Sequence, residues 1–100
     1  MMYRFYLIII DRGGVFEGFN YKRFHEQLTT ANGVNSWWHY LQSTYILKVD
    51  YNIDISHVSD YVRKIAPEKR FLATEMNPGS IGGWLPKEAW DWIKKHRGWV

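Results

Sequence analysis

The stretch that decides the fold runs from Trp37 to Val49 and reads WWHYLQSTYILKV. Aromatic and β-branched residues dominate it on both sides of Gln42-Ser43, which predicts two short strands, Trp37–Leu41 and Thr44–Val49. The two polar residues between them leave room only for a tight reversal of the chain, so the strands form a β-hairpin.

A strand and a helix precede the hairpin. The β-branched and aromatic run Tyr3–Ile10 contains no strand breaker and predicts a strand that is buried on both faces. Asn20 is placed to cap a helix that continues to about Asn32, where Asn32-Gly33 is a fitting stop.

A second helix, a fourth strand and a third helix follow the hairpin. Asp54 is placed to cap the second helix, with Ile55 among its inward positions, and Pro67 ends it. Residues 70–76 predict the fourth strand. Pro86 suits the first turn of a C-terminal helix.

The predicted order β-α-β-β-α-β, with a C-terminal helix added, is that of the ferredoxin-like fold in the α+β class. We expect one domain over residues 1–100, with a four-stranded antiparallel sheet in which strands one and three lie side by side in the middle and run parallel. Both crossover helices are expected on one face. The other face needs covering by a partner, a ligand or the C-terminal extension 77–100, which is expected to pack on the domain or on a dimer mate.

Composition narrows the class of protein. Apolar residues make up 46% of the chain, too many for a disordered one, and the absence of Cys excludes disulfides and thiolate zinc sites. The apolar runs fall far short of the ~20 residues of a membrane span, and the N-terminus lacks a signal-peptide layout. We therefore expect a cytoplasmic protein without a membrane partner. The net charge of +3 permits a nucleic-acid partner without demanding one.

Two carboxylates form the first candidate site. Asp11 ends strand one and Asp50 ends strand three, so parallel neighbouring strands would place both at one edge of the sheet. Carboxylate oxygens are suitable ligands for Mg²⁺ or Mn²⁺, and such a metal orients a phosphate and activates a water. The alternative is that both are ordinary strand-end residues that accept backbone hydrogen bonds in turns.

Histidine and basic residues form the other candidates. His39 lies on a strand between aromatic residues and suits general acid or base catalysis, although a structural histidine bonded to the backbone is the commoner case. His25 and His57 are expected on solvated helix surfaces. The candidate nucleic-acid-binding residues are Arg12, Lys64, Lys69, Arg70, Lys94, Lys95 and Arg97. Cations at the end of the last helix also fit simple stabilisation of the helix dipole.

Several strings together carry a family resemblance. The hairpin, Asp11, Lys48-Val49-Asp50 and the string from Gly82 to Ile93, GGWLPKEAWDWI, resemble the small bacterial and phage proteins known as SinR-like. That family is in turn similar in topology to the small CRISPR-adaptation (Cas-two) subunit and its virulence-associated toxin relatives.

The resemblance implies a ferredoxin-like homodimer whose open sheet faces pack together. It also implies that Asp11 faces its symmetry mate and binds a divalent metal, as in the members that cut RNA or DNA. This sequence departs from the pattern directly afterwards, at Arg12-Gly13-Gly14. Several family members are non-catalytic scaffolds, so the fold by itself does not imply hydrolysis.

Two hypotheses follow. The first is a metal-dependent phosphodiesterase or nuclease, with Asp11 and His39 as catalytic residues and Asp11 and Asp50 as Mg²⁺ or Mn²⁺ ligands. The second is a non-catalytic dimeric module that binds nucleic acid, a nucleotide signal or a protein partner in phage–host conflict.

Overall fold

The elements of secondary structure follow the predicted order. The computed structural model describes residues 2–12 and 18–96. In these ranges lie the strands β1 (Tyr3–Ile10), β2 (Val34–Leu41), β3 (Thr44–Asp50) and β4 (Phe71–Met76), and the helices α1 (Tyr21–Thr29), α2 (Ile55–Ile65) and α3 (Lys87–His96). The strands form one sheet in the order β2-β3-β1-β4, and every neighbouring pair is antiparallel. The ferredoxin-like α+β fold with an added C-terminal helix is confirmed.

The direction of the third strand differs from the expectation. β1 and β3 are neighbours in the middle of the sheet, as predicted, but they run antiparallel, with Tyr3 opposite Asp50 and Ile9 opposite Thr44. The connections explain this: α1 carries the chain across so that β2 runs parallel to β1, and the hairpin turn then reverses the chain into β3. The carboxyl ends of β1 and β3 therefore lie at opposite ends of the sheet.

The end of α1 and the start of β2 also differ from the predicted boundaries. α1 ends at Thr29 rather than near Asn32, and the hydroxyl groups of Thr29 and Thr30 donate hydrogen bonds to backbone carbonyls one turn earlier. Such bonds compete with continuation of a helix. β2 begins at Val34, earlier than predicted, because Val34 pairs with Val49 despite the polar residues that follow it.

α1 and α2 cover one face of the sheet. Tyr6, Ile8 and Ile10 of β1 alternate onto this face and are buried. They pack with buried residues from α1, from β3, and from α2 and its C-terminal cap, namely Phe24, Leu28, Tyr45, Leu47, Val49, Val58, Val62 and Ala66. Ile55 does not join them: it is the first residue of α2 and is 40% exposed rather than inward.

α3 covers part of the opposite face and makes a second core. Its buried residues Ala89 and Ile93 pack against Phe5, Trp38 and Ile46 of the sheet. The Trp38 indole N–H donates to the Ala89 carbonyl oxygen at 3.1 Å, so the large buried ring keeps its polar atom satisfied. α3 therefore packs on the sheet of its own chain. In the part of the chain that the structure describes, no helix is long and apolar enough to cross a membrane.

One row of this second face stays outside α3. Leu41 pairs with Thr44, Thr44 with Ile9, and Ile9 with Leu72, so these four residues form a single row across all the strands. Leu41 is 47% exposed, Ile9 40% and Leu72 64%. We call Leu41, Thr44, Ile9 and Leu72 the apolar row. An exposed apolar patch of this kind is typical of a contact surface.

Removing the Ile93 side chain tests the second core. Because Ile93 is fully buried, Ile93→Ala should lower the free energy of unfolding by about 2–5 kcal/mol. Trp84 is 99% exposed, so Trp84→Ala should change the free energy of unfolding by less than about 0.5 kcal/mol. Urea denaturation of both variants measures the difference. Equal effects of the two substitutions would contradict the packing of α3 on the sheet.

Candidate functional site

The predicted pair of carboxylates does not come together within the chain. Asp50 lies beside Tyr3 at the start of β1, whereas Asp11 follows the end of β1. Asp11 lies eight positions after Tyr3, and at about 3.4 Å per position the backbones of Asp11 and Asp50 are roughly 27 Å apart along the strand. Within one chain, Asp11 and Asp50 therefore do not share a metal site, because that expectation depended on a parallel pair of strands. A divalent metal at Asp11 stays a prediction.

Asp50 has a structural place in a turn. Its carboxylate accepts a hydrogen bond of 2.8 Å from the Asn35 side-chain amide, and its backbone N–H donates to the Gly33 carbonyl oxygen. Gly33 has a φ of 88° and lies directly against Ile53, so a side chain there would be both strained and obstructed. Among the described residues, no three His, Cys, Asp or Glu side chains cluster in a way that would hold a metal ion.

Basic residues gather at the other end of the sheet, where Asp11 lies. The Asp11 backbone N–H donates to the Arg70 carbonyl oxygen at 2.9 Å, which places the two residues side by side. Arg12 reaches across to the hairpin turn, where its Nη1 donates to the Gln42 carbonyl oxygen at 3.1 Å. Two of the predicted nucleic-acid-binding residues, Arg12 and Arg70, thus flank the end of β1.

A groove opens between the start of α1 and the end of α2. Its volume is about 710 Å³, within the ~300–1,000 Å³ range of small-molecule sites. Its lining includes three cationic residues, Arg23, Lys64 and Lys69, together with the Phe19 ring and the acidic Glu68. We call this cavity the basic groove. Lys64 and Lys69 were predicted from the sequence, whereas Arg23 joins them only because α1 and α2 lie side by side.

Tyr21 connects the basic groove to the end of β1. The Arg12 guanidinium lies 3.7 Å from the centroid of the Tyr21 ring, and Lys69 Nζ lies 5.1 Å from it. Both distances fall within the range of cation–π attraction. Phe19 meets Tyr21 edge to face at 4.8 Å. The arrangement presents positive charge beside aromatic faces, the combination that binds phosphates and bases of nucleic acids.

The second basic cluster lies elsewhere. Lys94 and Lys95 are exposed residues of α3, which packs on the sheet face opposite α1 and α2. Lys95 lies near Lys48; burial is the main cause of the lowered pKa of Lys48, and the charge of Lys95 adds to it. Arg97 lies outside the described residues. One protomer therefore presents its basic residues on two faces rather than as one continuous strip.

A histidine cluster lies between α1 and the hairpin, near enough to Arg12 for the guanidinium charge to act on His39. His39 stacks on Tyr45 with ring centroids 3.8 Å apart and an angle of 2° between the planes. His25 Nδ1 is 2.9 Å from the Tyr45 hydroxyl, and the two imidazole rings are 5.7 Å apart. Trp37 closes the group edge-on to His25 at 4.8 Å. We call His25, His39 and Tyr45 the histidine cluster.

His25 is a residue that the sequence interpretation missed. It was placed on a solvated helix surface, but it is only partly exposed and faces the hairpin. The spacing of residues along α1 could have indicated this place. His25 follows the buried Phe24 and comes about one turn before the buried Leu28, so it lies at the margin of the inward face of α1.

Hydrogen bonds and burial define the protonation of the cluster. His39 Nδ1 is 2.9 Å from the Thr44 carbonyl oxygen, which only accepts, so Nδ1 carries the proton and neutral His39 has its lone pair on Nε2. Burial lowers the pKa of His39, and the positive charges of His25 and Arg12 lower it further. Burial raises the pKa of Tyr45 to about 12, so its hydroxyl stays protonated near neutral pH.

Comparison of the chain with protein-family models, with curated proteins and with solved structures finds no match. The resemblance to the SinR-like and Cas-two families therefore remains a prediction, and the site is interpreted from its own geometry.

The lowered pKa of His39 predicts that acid destabilises the fold. Burial also lowers the pKa of His96, whose Nδ1 donates to the Trp92 carbonyl oxygen. Near pH 6.5, the ordinary histidine value, the unfolded chain takes up protons that the folded chain does not. The free energy of unfolding should therefore fall as the pH drops from about 7 towards the folded pKa values.

Melting temperatures across this pH range measure the effect. His39→Asn keeps a donor near Thr44 but removes the titrating ring, so its loss of stability between neutral and acid pH should be smaller. His57→Asn is the matched control, because the His57 side chain is 75% exposed. A wild-type protein that becomes more stable on acidification would contradict the burial argument.

Proposed function

We propose that the protein binds nucleic acid through the basic groove and the adjoining Arg12 and Tyr21. The observation that carries the proposal is the Tyr21 ring, which has both the Arg12 guanidinium and the Lys69 ammonium within cation–π distance. Lys69 also lines the adjoining groove, together with Lys64 and Arg23. Cations neutralise phosphates, and an aromatic face stacks on a base of any sequence.

The arrangement favours a single strand. Stacking on the Phe19 ring, which lines the groove, requires a base that is free of its own neighbours, which a duplex does not offer. The side chains that would contact phosphates are long and project from helix ends and loops, so they follow a flexible backbone. The groove volume of about 710 Å³ also accommodates a nucleotide-sized group.

Binding takes precedence over metal-dependent cleavage as the proposed activity. The nuclease hypothesis relied on Asp11 and Asp50 to hold Mg²⁺ or Mn²⁺, and the antiparallel pairing of β1 and β3 separates them. An Asp11 pair from two protomers remains a prediction from the family resemblance alone. The basic groove needs no such pairing, because all of its residues belong to one chain.

The salt dependence of binding tests the proposal. Four phosphate contacts, from Arg12, Arg23, Lys64 and Lys69, predict a log–log slope of the association constant against salt of about −3 for a single strand. Fluorescence anisotropy with labelled single-stranded RNA and DNA measures this slope. A flat dependence would contradict phosphate binding and favour a protein partner.

Charge-neutral variants then locate the surface. Lys64→Gln should weaken binding and make the slope shallower by about 0.7, the contribution of one contact. Lys87→Gln is the matched control, because Lys87 lies on α3 with a side chain that is 87% exposed. If Lys94→Gln changes the slope and Lys64→Gln does not, the interface lies on α3 instead.

We also propose that the protein is a homodimer, with the apolar row covered by a second copy. The row is exposed and reaches the edge strand β4, where Leu72 is 64% exposed. A two-fold symmetric contact would place the row of one protomer against the same row of the other. The basic groove lies on the opposite side of the sheet and would stay accessible.

Light scattering tests the dimer. The wild-type protein should have about twice the chain mass of 12.0 kDa at micromolar concentration. Leu72→Lys should shift it to a monomer, because two charges would then meet across the symmetric contact. Ile55→Lys is the control: Ile55 is 40% exposed but lies on α2, and this variant should remain dimeric. A wild-type protein that is monomeric would contradict the proposal.

A further inference from the structure

We infer that the histidine cluster cleaves RNA by general acid–base catalysis, with His39 as the base, His25 as the acid and Arg12 beside the reacting phosphate. The inference rests on the proposed function, because the basic groove would deliver the strand to the cluster. It adds a reaction, a substrate class and two residues with separate roles to that binding function.

The geometry brings an acid–base pair to the end of the proposed binding surface. His25 comes from α1 and His39 from β2, and their ring centroids are 5.7 Å apart. Both rings are only partly buried, and the neighbouring Trp37 is 42% exposed, so the cluster lies at the margin of the helix–sheet interface rather than in its interior. Arg12 joins the two regions: it stacks on Tyr21 and lies near enough to His39 for its charge to act on that ring.

The hydrogen bonds orient the two imidazole rings differently. Thr44 fixes the proton of His39 on Nδ1, so Nε2 is the atom that accepts a proton. Burial and the nearby positive charges keep His39 neutral at physiological pH. The second imidazole is held by the Tyr45 hydroxyl at Nδ1. When His25 is protonated, Nδ1 donates to that oxygen, and Nε2–H is the proton that it can give away.

The reaction that this pair supports is internal transesterification of RNA. The 2′-hydroxyl oxygen attacks the adjacent phosphorus, and its proton passes to Nε2 of His39 as the new P–O2′ bond forms. The P–O5′ bond breaks, its electron pair stays on the 5′ oxygen, and that oxygen takes a proton from Nε2 of His25. The products are a 2′,3′-cyclic phosphate and a 5′-hydroxyl, and proton exchange with water restores both histidines.

Arg12 contributes charge to the same step. Negative charge grows on the phosphate oxygens as the phosphorus becomes five-coordinate, and a guanidinium beside them stabilises that state more than the starting one. The hydrogen bond from Arg12 to the Gln42 carbonyl oxygen fixes the side chain beside the hairpin. The nucleophile belongs to the substrate, so the residues named here suffice and DNA, which lacks a 2′-hydroxyl, is bound without being cut.

The experiment compares binding and cleavage on the same oligonucleotides. The protein is incubated in EDTA with labelled RNA of mixed sequence, and in parallel with its 2′-O-methyl counterpart, while anisotropy records binding of each. We expect both strands to bind, and only RNA to be cut, with fragments that end in a 2′,3′-cyclic phosphate. RNA that binds but is not cut, or is cut only when Mn²⁺ is added, overturns the inference and leaves the proposed binding function intact. RNA that does not bind overturns both.

Matched variants assign the roles. His25→Asn and His39→Asn each keep a polar group in place of Nδ1 and remove Nε2, so each should retain RNA binding and lose about 100-fold or more in cleavage rate. His57→Asn, on the far side of the molecule in α2, should cleave at the wild-type rate, and an equal loss in this variant would overturn the assignment. Melting curves identify any variant that fails to fold. If a variant fails to fold, the pH dependence of the wild-type cleavage rate tests the assignment instead. A bell-shaped profile supports an acid–base pair, and a flat profile overturns the inference.

Discussion

The backbone pairing of β1 with β3 is the constraint on which the rest of the structure depends. β1 is central and contributes to both cores, because Tyr6, Ile8 and Ile10 face α1 and α2 while Phe5 faces α3. Its register with β3 brings Ile9 opposite Thr44. That register places the residues after β1 beside the hairpin turn, where Arg12 meets Gln42. The same antiparallel ladder therefore places Arg12 at the hairpin end of the sheet, where the histidine cluster lies.

The elements themselves could be predicted because local patterns specify them. The apolar run of β1, the polar turn at Gln42-Ser43 and the caps Asn20 and Asp54 each leave a signal within a few neighbouring residues, and the structure places both cap side chains against backbone N–H groups. Strand direction has no such local signal. It follows from tracing the whole path through α1 and the hairpin, and the error in that step produced the mistaken pairing of Asp11 with Asp50.

The parts of the site that were missed depend on contacts between distant residues. Arg23 joins Lys64 only because the start of α1 packs beside the end of α2, and neither residue type nor spacing reveals that neighbour. His25 and Tyr45 are 20 residues apart in sequence, and their hydrogen bond depends on which side of α1 meets the hairpin. The sequence alone could identify His39 as a candidate, because an imidazole among the aromatic residues of a strand is unusual in itself.

Charge is distributed unevenly along the sheet, and this explains how a mildly basic chain can present a strongly basic site. At the end of β1, the described cations Arg12, Lys69 and Arg70 lie close to one another, with Lys64 and Arg23 in the adjoining groove. At the opposite end lie Asp50 and the helix cap Asp54, each engaged in hydrogen bonds that organise a turn or a helix start. Because several cations gather at the end of β1, the local potential there is larger than the net charge of +3 suggests. Under the proposed function, a polyanion would be drawn to the end of the molecule that carries the histidine cluster, which is where the inferred cleavage would act.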